Sequence, residues 1–228
     1  MPSLIAEQLE AVRQRIAVAE RMAGRPAGSV RVIAVSKGHP AAALREAFRA
    51  GQRHFGENYL QEALPKQDAL ANEPGLIWHF IGPLQSNKTR LIASRFDWVH
   101  SVERLKIAER LSEHRPPELP PQNVCLQVNI SREGSKSGVS VEDLPALAAG
   151  VVQLPRLRLR GLMAIPAPTD DQRQHAQPFR ALRQAMENLA LPGLDTLSMG
   201  MSDDLEAAVA EGATLVRIGT AIFGLRAG

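Results

Sequence analysis

Short apolar runs alternate with longer amphipathic segments along most of the chain. The runs are bounded by turn-forming residues and rich in Val, Ile and Leu, a pattern that predicts buried strands. Eight such runs are present, at Val30–Ser36, Arg53–Phe55, Leu76–Gly82, Trp98–Ser101, Val124–Ile130, Leu157–Met163, Thr196–Met199 and Thr214–Ile218.

Segments with apolar residues at helical spacing follow seven of these runs. They are Ala41–Ala50, Glu57–Ala69, Lys88–Arg95, Glu103–Glu113, Val141–Gln153, Asp171–Leu189 and Asp203–Glu211. A further helix is predicted before the first strand, from about Ser3 to Ala23, with Leu9, Val12 and Ile16 on one face.

The alternation of strands and helices predicts a parallel sheet with helical crossovers. Eight units are enough to close a barrel, and an open doubly wound sheet is the alternative. Polar or glycine-rich groups follow most strands, which favours a barrel mouth over a single switch point. We therefore predict that residues 1–228 form one α/β domain, a single (β/α)8 TIM-type barrel with an extra N-terminal helix.

Composition narrows the classes of function. The 27 basic residues are spread along the chain and aromatic residues make up 4%, so a nucleic-acid binder is not expected. No apolar run is long enough for a membrane span, and the six His residues show no metal-binding spacing. The single cysteine, Cys125, has apolar neighbours and is expected to be a buried thiol in a reducing cytoplasm.

Lys37 is the first candidate for chemistry, because it follows the apolar run Val32–Val35 directly. Partial desolvation at a barrel mouth would favour its neutral amine, the form that attacks an aldehyde. Taken alone, a solvated lysine just past a strand end is the simpler interpretation.

Two turns after the last predicted strands suit a phosphate group. Ser198–Asp204 contains a glycine turn, and Ser202 or Asp203 could cap the next helix. Val216–Gly224 contains Gly219 and Thr220, a close backbone approach followed by a hydroxyl. Phosphate binding by the loops after strands seven and eight recurs in barrels, so both turns favour a phosphorylated aldehyde as ligand of Lys37.

The chain also resembles a known family over nearly its whole length, the pyridoxal phosphate homeostasis protein family, whose barrel is related to that of the alanine racemases. Eight segments carry the resemblance: Val35–Lys37, Phe55–Tyr59, Trp78–Lys88, Val128–Ile130, Lys136–Gly138, Gly161–Pro166, Leu197–Ser202 and Val216–Gly224. The resemblance implies pyridoxal 5′-phosphate (PLP) as cofactor, vitamin B6 homeostasis as function and apo-enzymes as possible recipients.

The resemblance also implies roles for individual residues. Lys37 would form the Schiff base with PLP; Ser202, Gly219 and Thr220 would hold the phosphate. Arg217 would face the pyridine nitrogen, and Asn58 would line the pocket. A guanidinium cannot accept the proton of a pyridinium, so Arg217 argues against strong electron-sink chemistry.

The alternative is a PLP-dependent amino-acid racemase, since Val216–Gly224 is similar to the matching strand and turn of alanine racemases. Those enzymes use a lysine and a tyrosine from an additional β domain, which we expect this chain to lack. Tyr59 and His79 are the remaining candidates for a second base, and packing roles are expected for both. Glu57 and Glu133 stay open as acid–base groups, as do contacts of Lys88 and Lys136 with the cofactor.

We therefore expect a cytoplasmic, monomeric PLP-binding protein without established catalysis.

Overall fold

The structure is a computed structural model that describes residues 3–131, 137–167 and 176–225. Eight parallel strands form a closed barrel in the order β1 to β8, and helices lie between them along the chain. The predicted (β/α)8 barrel with an N-terminal helix is confirmed. Within the described ranges, no helix is both long and apolar enough to cross a membrane.

The elements follow one another in the predicted alternation. The strands are β1 (Arg31–Val35), β2 (His54–Glu57), β3 (Ile77–Phe80), β4 (Trp98–Val102), β5 (Gln122–Gln127), β6 (Leu157–Met163), β7 (Thr196–Ser198) and β8 (Leu215–Ile218). The helices are α1 (Leu4–Met22), α2 (Ala41–Arg49), α3 (Leu60–Ala69), α4 (Thr89–Arg95), α5 (Leu105–His114), α6 (Leu144–Val151), α7 (Ala176–Leu189), α8 (Leu205–Ala210) and α9 (Thr220–Phe223).

Strand β1 pairs with both β2 and β8, and the pairing with β8 closes the barrel. Val32 lies opposite Val216 and Ala34 opposite Ile218. Because all strands are parallel, their carboxyl ends meet at one mouth. The residues that follow β1 and β8 are therefore neighbours there, although about 180 positions separate them in the chain.

Helix α1 packs against α2, α8 and α9. Ser3 caps it, because its hydroxyl accepts a hydrogen bond from the amide of Ala6 at 3.3 Å. Leu9, Val12 and Ile16 are buried, as their helical spacing predicts. The helix thus buries its apolar face against these three helices.

The barrel interior holds a small apolar cluster, separate from the larger core between strands and helices. Its members are Ile33, Trp98, Cys125, Met163 and Leu215. Cys125 is fully buried, as predicted, and burial raises the pKa of its thiol to about 12. A thiol with that pKa stays protonated and unreactive at neutral pH.

Glu57 corrects the prediction at the second strand. It was assigned to the start of a helix, in a loop near the mouth, whereas it is the last residue of β2 and fully buried. Its Oε1 accepts hydrogen bonds from the Ser36 hydroxyl at 2.6 Å and from the Lys66 ammonium at 2.7 Å. These two donors allow a charged side chain to end a buried strand, so α3 begins three residues later, at Leu60.

The cap of α8 also differs from the prediction. Asp204 occupies the N-cap position, where Ser202 or Asp203 was expected, and its Oδ1 accepts from the amide of Met201 at 2.6 Å. That bond closes the turn before the helix and leaves the Ser202 side chain to the barrel mouth. The predicted beginning of α7 at Asp171 lies outside the described residues.

The buried Glu57–Lys66 pair allows a direct test of the β2 assignment. Replacing Lys66 with methionine leaves the Glu57 carboxyl buried without its cation. We therefore expect the free energy of unfolding to fall by about 3–5 kcal/mol. Urea denaturation measures the change. Lys106→Met, at an exposed lysine of α5, is the control and should change little. An equal effect of both substitutions would contradict the buried position of Glu57.

Candidate ligand-binding site

A cavity of about 360 Å³ opens at the carboxyl ends of the strands. Its volume lies within the range of small-molecule sites, about 300–1,000 Å³. It is lined by Val35, Lys37, Asn58, Ile81, Ile165, Met201, Ser202, Asp203, Arg217, Gly219 and Thr220. All six residues predicted to share a binding site therefore lie in this one cavity, which we call the mouth cavity.

Lys37 and the Gly219–Thr220 turn are brought together by the closure of the barrel. Lys37 follows β1 after Ser36, and Gly219 follows β8. A Cβ added to Gly219 would lie 3.3 Å from the carbonyl oxygen of Val35, so the two chain segments touch at this point. Glycine permits an approach that a larger residue would crowd.

Asn58 contributes an acceptor that the protein itself leaves unused. Its Oδ1 is buried and has no hydrogen-bond partner within the described part of the chain. Its backbone is tightly packed, since a Cβ at Gly82 would lie 2.0 Å from the Asn58 carbonyl oxygen. A buried, unpaired acceptor that lines a cavity fits a ligand with a hydrogen-bond donor.

Arg217 is the most buried charge of the site, with only 5% of its surface exposed. Its Nη1 donates to the carbonyl oxygen of Ser198 at 2.7 Å and to the Ser198 hydroxyl at 2.8 Å, and its Nη2 donates to the carbonyl oxygen of Ala164 at 3.0 Å. Burial lowers the pKa of Arg217 to about 10, so the guanidinium stays charged at neutral pH.

Three histidine rings continue the hydrogen bonds of Arg217 through the barrel interior. Ser198 Oγ contacts Nδ1 of His100 at 2.8 Å, and Nε2 of His100 contacts Nδ1 of His79 at 2.9 Å. Nε2 of His79 then contacts Nδ1 of His54 at 2.9 Å. We call His54, His79 and His100 the histidine chain; it links three consecutive strands to Ser198 and Arg217.

The histidine chain is electrically neutral at physiological pH. Burial, followed by the positive charge of Arg217, lowers the pKa of His100 to about 3. Burial and then the charge of Arg31 lower the pKa of His54 to about 4. For His79, burial and then the neighbouring rings hold the pKa well below its ordinary value. Each ring therefore has one N–H and one lone pair, which suits an end-to-end chain.

Three further candidates in the described part of the chain, Tyr59, His79 and Lys88, do not line the mouth cavity. Tyr59 precedes α3 and is 51% exposed, so its predicted packing role is wrong, and it is no lining residue. His79 is a fully buried, hydrogen-bonded core residue, as expected. Lys88 ends a short 3-10 turn and does not line the cavity. Glu133 and Lys136 lie outside the described residues.

Sequence reasoning missed the residues that hold Arg217 in place. Ser198 and Ala164 were treated only as parts of motifs, and His54 and His100 were not singled out. A signal was present, because each of three successive strands contains one histidine among apolar residues. Alternation alone does not say that three such rings point inward at the same level of a barrel.

The fold and this site define a class, since residues 8–227 match the family model described as the alanine racemase N-terminal domain. The chain is 65% identical to the pyridoxal phosphate homeostasis protein of Pseudomonas aeruginosa, over 98% of this chain and 96% of that protein. It is 54% identical to the protein of the same name from Escherichia coli, over 97% of each. The chain therefore belongs to the pyridoxal phosphate homeostasis protein family.

Solved structures agree with this assignment. PipY of Synechococcus elongatus, solved with PLP bound, superposes with a TM-score of 0.84 at 42% identity, over 96% of this chain and all of that one. Alanine racemase of Corynebacterium glutamicum superposes with a TM-score of 0.71 at 18% identity, over 95% of this chain and 62% of the racemase. The second likeness shows a shared barrel fold.

The low pKa of His100 predicts a pH dependence of stability. Between pH 3 and the ordinary pKa of about 6.5, His100 is protonated in the unfolded chain and neutral in the folded protein. The free energy of unfolding therefore falls as pH falls through this window. We expect His100→Gln to lower the slope of unfolding free energy against pH by about 1.4 kcal/mol per pH unit between pH 4 and 6. Urea denaturation at several pH values measures both slopes; equal slopes would contradict a neutral His100.

Proposed function

We propose that this chain binds PLP in the mouth cavity and serves in PLP homeostasis, holding the cofactor on Lys37 and delivering it to apo-enzymes. One observation carries the proposal. Six residues from four separate parts of the chain line a single cavity. They are the residues predicted to supply the amine, to bind the phosphate and to contact the ring of the cofactor. The names of the relatives and the PLP bound to PipY support the same ligand.

The residues of the mouth cavity suit the functional groups of PLP. An aldehyde condenses with a primary amine and releases water, and Lys37 is the amine that lines the cavity. The hydroxyls of Ser202 and Thr220 and the close turn at Gly219 offer a phosphate site next to the end of β1. The unpaired Oδ1 of Asn58 is available to a donor on the ligand.

The environment of Arg217 supports binding without strong catalysis. In the proposed arrangement Arg217 faces the pyridine nitrogen and, being charged, can only donate to it. Ser198 and Ala164 fix the guanidinium with three hydrogen bonds, and the neutral histidine chain behind them supplies no carboxylate. The ring nitrogen would then stay unprotonated, which weakens PLP as an electron sink.

A racemase also needs a second base across the cofactor from Lys37. Tyr59, the one tyrosine of the chain, does not line the mouth cavity, and His79 is buried within the histidine chain. We therefore favour a binding and delivery protein over an amino-acid racemase. The apo-enzyme recipients, a monomeric state, a cytoplasmic location and the unity of residues 1–228 as one domain are parts of this proposal.

Covalent trapping tests the role of Lys37. We expect borohydride reduction of the protein incubated with PLP to add one pyridoxyl group to Lys37, because its amine lies in the cavity with the phosphate donors. Peptide mass spectrometry locates the label. Lys37→Ala should abolish specific labelling, and Lys106→Ala, at an exposed lysine, should leave it intact. Label found only on other lysines would reject the site.

Exchange of the Cα proton separates delivery from racemisation. Incubation of the PLP-loaded protein with amino acids in D₂O should give little Cα deuterium, because Tyr59 and His79, the candidates for a second base, do not line the cavity. NMR of the amino acids measures the exchange, with an authentic racemase as positive control. Exchange at enzyme-like rates, lost in Lys37→Ala, would replace the delivery function with the racemase.

Transfer to apo-enzymes has its own readout. We expect the PLP-loaded protein to restore the activity of a PLP-dependent apo-enzyme faster than free PLP does. The free PLP is supplied at the concentration that the loaded protein releases at equilibrium.

A further inference from the structure

A second cavity, of about 440 Å³, lies at the opposite end of the barrel. It is bounded by α1 and by the amino-terminal ends of β1 and β2, and we call it the basal cavity. Its charged or titratable lining residues are Arg13, Glu20, Arg31, Arg53 and His54. The lining therefore contains three guanidinium groups and one carboxylate.

The carboxylate of Glu20 does not pair with these arginines. Its oxygens accept hydrogen bonds from the amide of Gly28 at 3.0 Å, the hydroxyl of Ser29 at 3.2 Å and the amide of Val30 at 2.7 Å. Glu20 thus stabilises the turn that leads into β1. Three arginines and one carboxylate leave the lining with a net charge of about +2, by Coulomb bookkeeping of unit charges.

The guanidinium groups retain donors that the described residues do not use. The exposed side chain of Arg31 lines the cavity and has neither an ion pair nor a hydrogen bond within the described ranges. Arg13 donates from Nη1 to the carbonyl oxygen of Ala50 at 2.9 Å, and Arg53 donates from Nη1 to two backbone carbonyl oxygens. Since a guanidinium has five N–H donors, each of the three has several to offer.

His54 adds another hydrogen-bond donor to the basal cavity, because the histidine chain determines which nitrogen of its ring carries the proton. Arg217 can only donate, so the Ser198 hydroxyl accepts from it and has its own proton left to give. That proton goes to Nδ1 of His100, the one further contact of this hydroxyl within the described residues. The opposite polarity would leave the hydroxyl proton without an acceptor there, at a free-energy cost.

With that polarity every ring is protonated on Nε2. Nε2–H of His100 donates to Nδ1 of His79, and Nε2–H of His79 donates to Nδ1 of His54. The free nitrogen of His54 is therefore an N–H and not a lone pair. A charged arginine in the mouth cavity thus makes His54 a hydrogen-bond donor at the other end of the barrel.

We propose that the basal cavity binds the phosphate group of a small organic phosphate, with Arg31 and His54 among its ligands. Positive charge and several donors favour an anion. A tetrahedral phosphate accepts from more directions than the two oxygens of a carboxylate, which suits three arginines and an imidazole contributed by α1, by β1 and by residues 53–54 at the start of β2. Ile16, Val30 and Val32 form an apolar wall beside these donors, suited to the organic part of the ligand.

The positive charge of Arg31 acts on pKa values within the histidine chain. It contributes, after burial, to the lowered pKa of His54 and, more weakly, of His79. The other charged residues that line the basal cavity with His54 are Arg13, Arg53 and Glu20, and the neutral His79 ring contacts His54 from the barrel interior. A bound dianion would offset the field of Arg31, so occupancy of the basal cavity should be visible at the His54 ring.

Phenyl phosphate is the probe for the test, and benzoate is its carboxylate counterpart. The full-length protein with ¹⁵N-labelled histidine is titrated with each compound at constant ionic strength. We expect phenyl phosphate to shift the His54 resonances and to bind more tightly than benzoate. Removal of one charged hydrogen-bond donor in Arg31→Ala should weaken binding about 10-fold or more.

Two control variants locate the binding. Arg90→Ala removes an exposed arginine of α4 and the same charge, and it should leave the dissociation constant within about 2-fold, as for a screened surface charge. Thr220→Ala removes a hydroxyl from the proposed phosphate site of the mouth cavity, and binding that persists at the His54 ring in this variant locates the probe in the basal cavity. His54→Phe keeps an aromatic ring without the N–H and should weaken binding, which gives a second test independent of Arg31.

Several results would overturn the proposal. They are equal affinities of Arg31→Ala and Arg90→Ala, loss of binding in Thr220→Ala alone, benzoate binding as tight as that of phenyl phosphate, or no His54 shift at millimolar probe. The proposal does not rest on PLP binding. Failure to label Lys37 would reject the proposed function and leave this titration unaffected, because the two sites are at opposite ends of the barrel.

Discussion

Pairing between β1 and β8 is the constraint on which the mouth cavity depends. The register that sets Ala34 opposite Ile218 also sets the residue after β1 beside the turn after β8. Lys37 and Thr220 therefore line the same cavity although the chain between them makes a complete circuit of the barrel. A ring of parallel strands has no edges, so loss of this one pairing would open the sheet and separate the amine from the phosphate donors.

Burial of Arg217 explains the unusual polarity of the barrel interior. A guanidinium removed from water needs acceptors for its donors, and two backbone carbonyls and the Ser198 hydroxyl supply them. The hydroxyl proton of Ser198 then needs an acceptor, which is Nδ1 of His100. Each histidine ring in turn donates to the next one, on the neighbouring strand. The result is a column of neutral polar groups with one direction, beside the apolar cluster of Ile33, Cys125 and Leu215.

Periodicity predicted which segments are strands and helices, and it was least accurate where a polar residue is buried. Glu57 was predicted at the start of a helix, since a carboxylate seldom ends a buried strand. Its buried position is favourable because Lys66 and Ser36 donate hydrogen bonds to its carboxylate. Asp204 replaced Ser202 and Asp203 as the cap because its side chain closes the turn onto the amide of Met201. Both differences come from single contacts that local propensity does not contain.

By itself, the sequence predicted the barrel, because strand periodicity and the polar residues after the strands are local properties of the chain. It predicted the six residues that share the mouth cavity partly from these local properties and, for Asn58 and Arg217, from the family resemblance. The roles of those six residues toward PLP stay predictions. Tertiary structure alone decided that Arg217 is held by Ser198 and Ala164, that three histidines form one chain, and that Arg31 and His54 share a basal cavity. These contacts join distant strands, and their directions depend on the tilt and closure of the barrel, which no local pattern specifies.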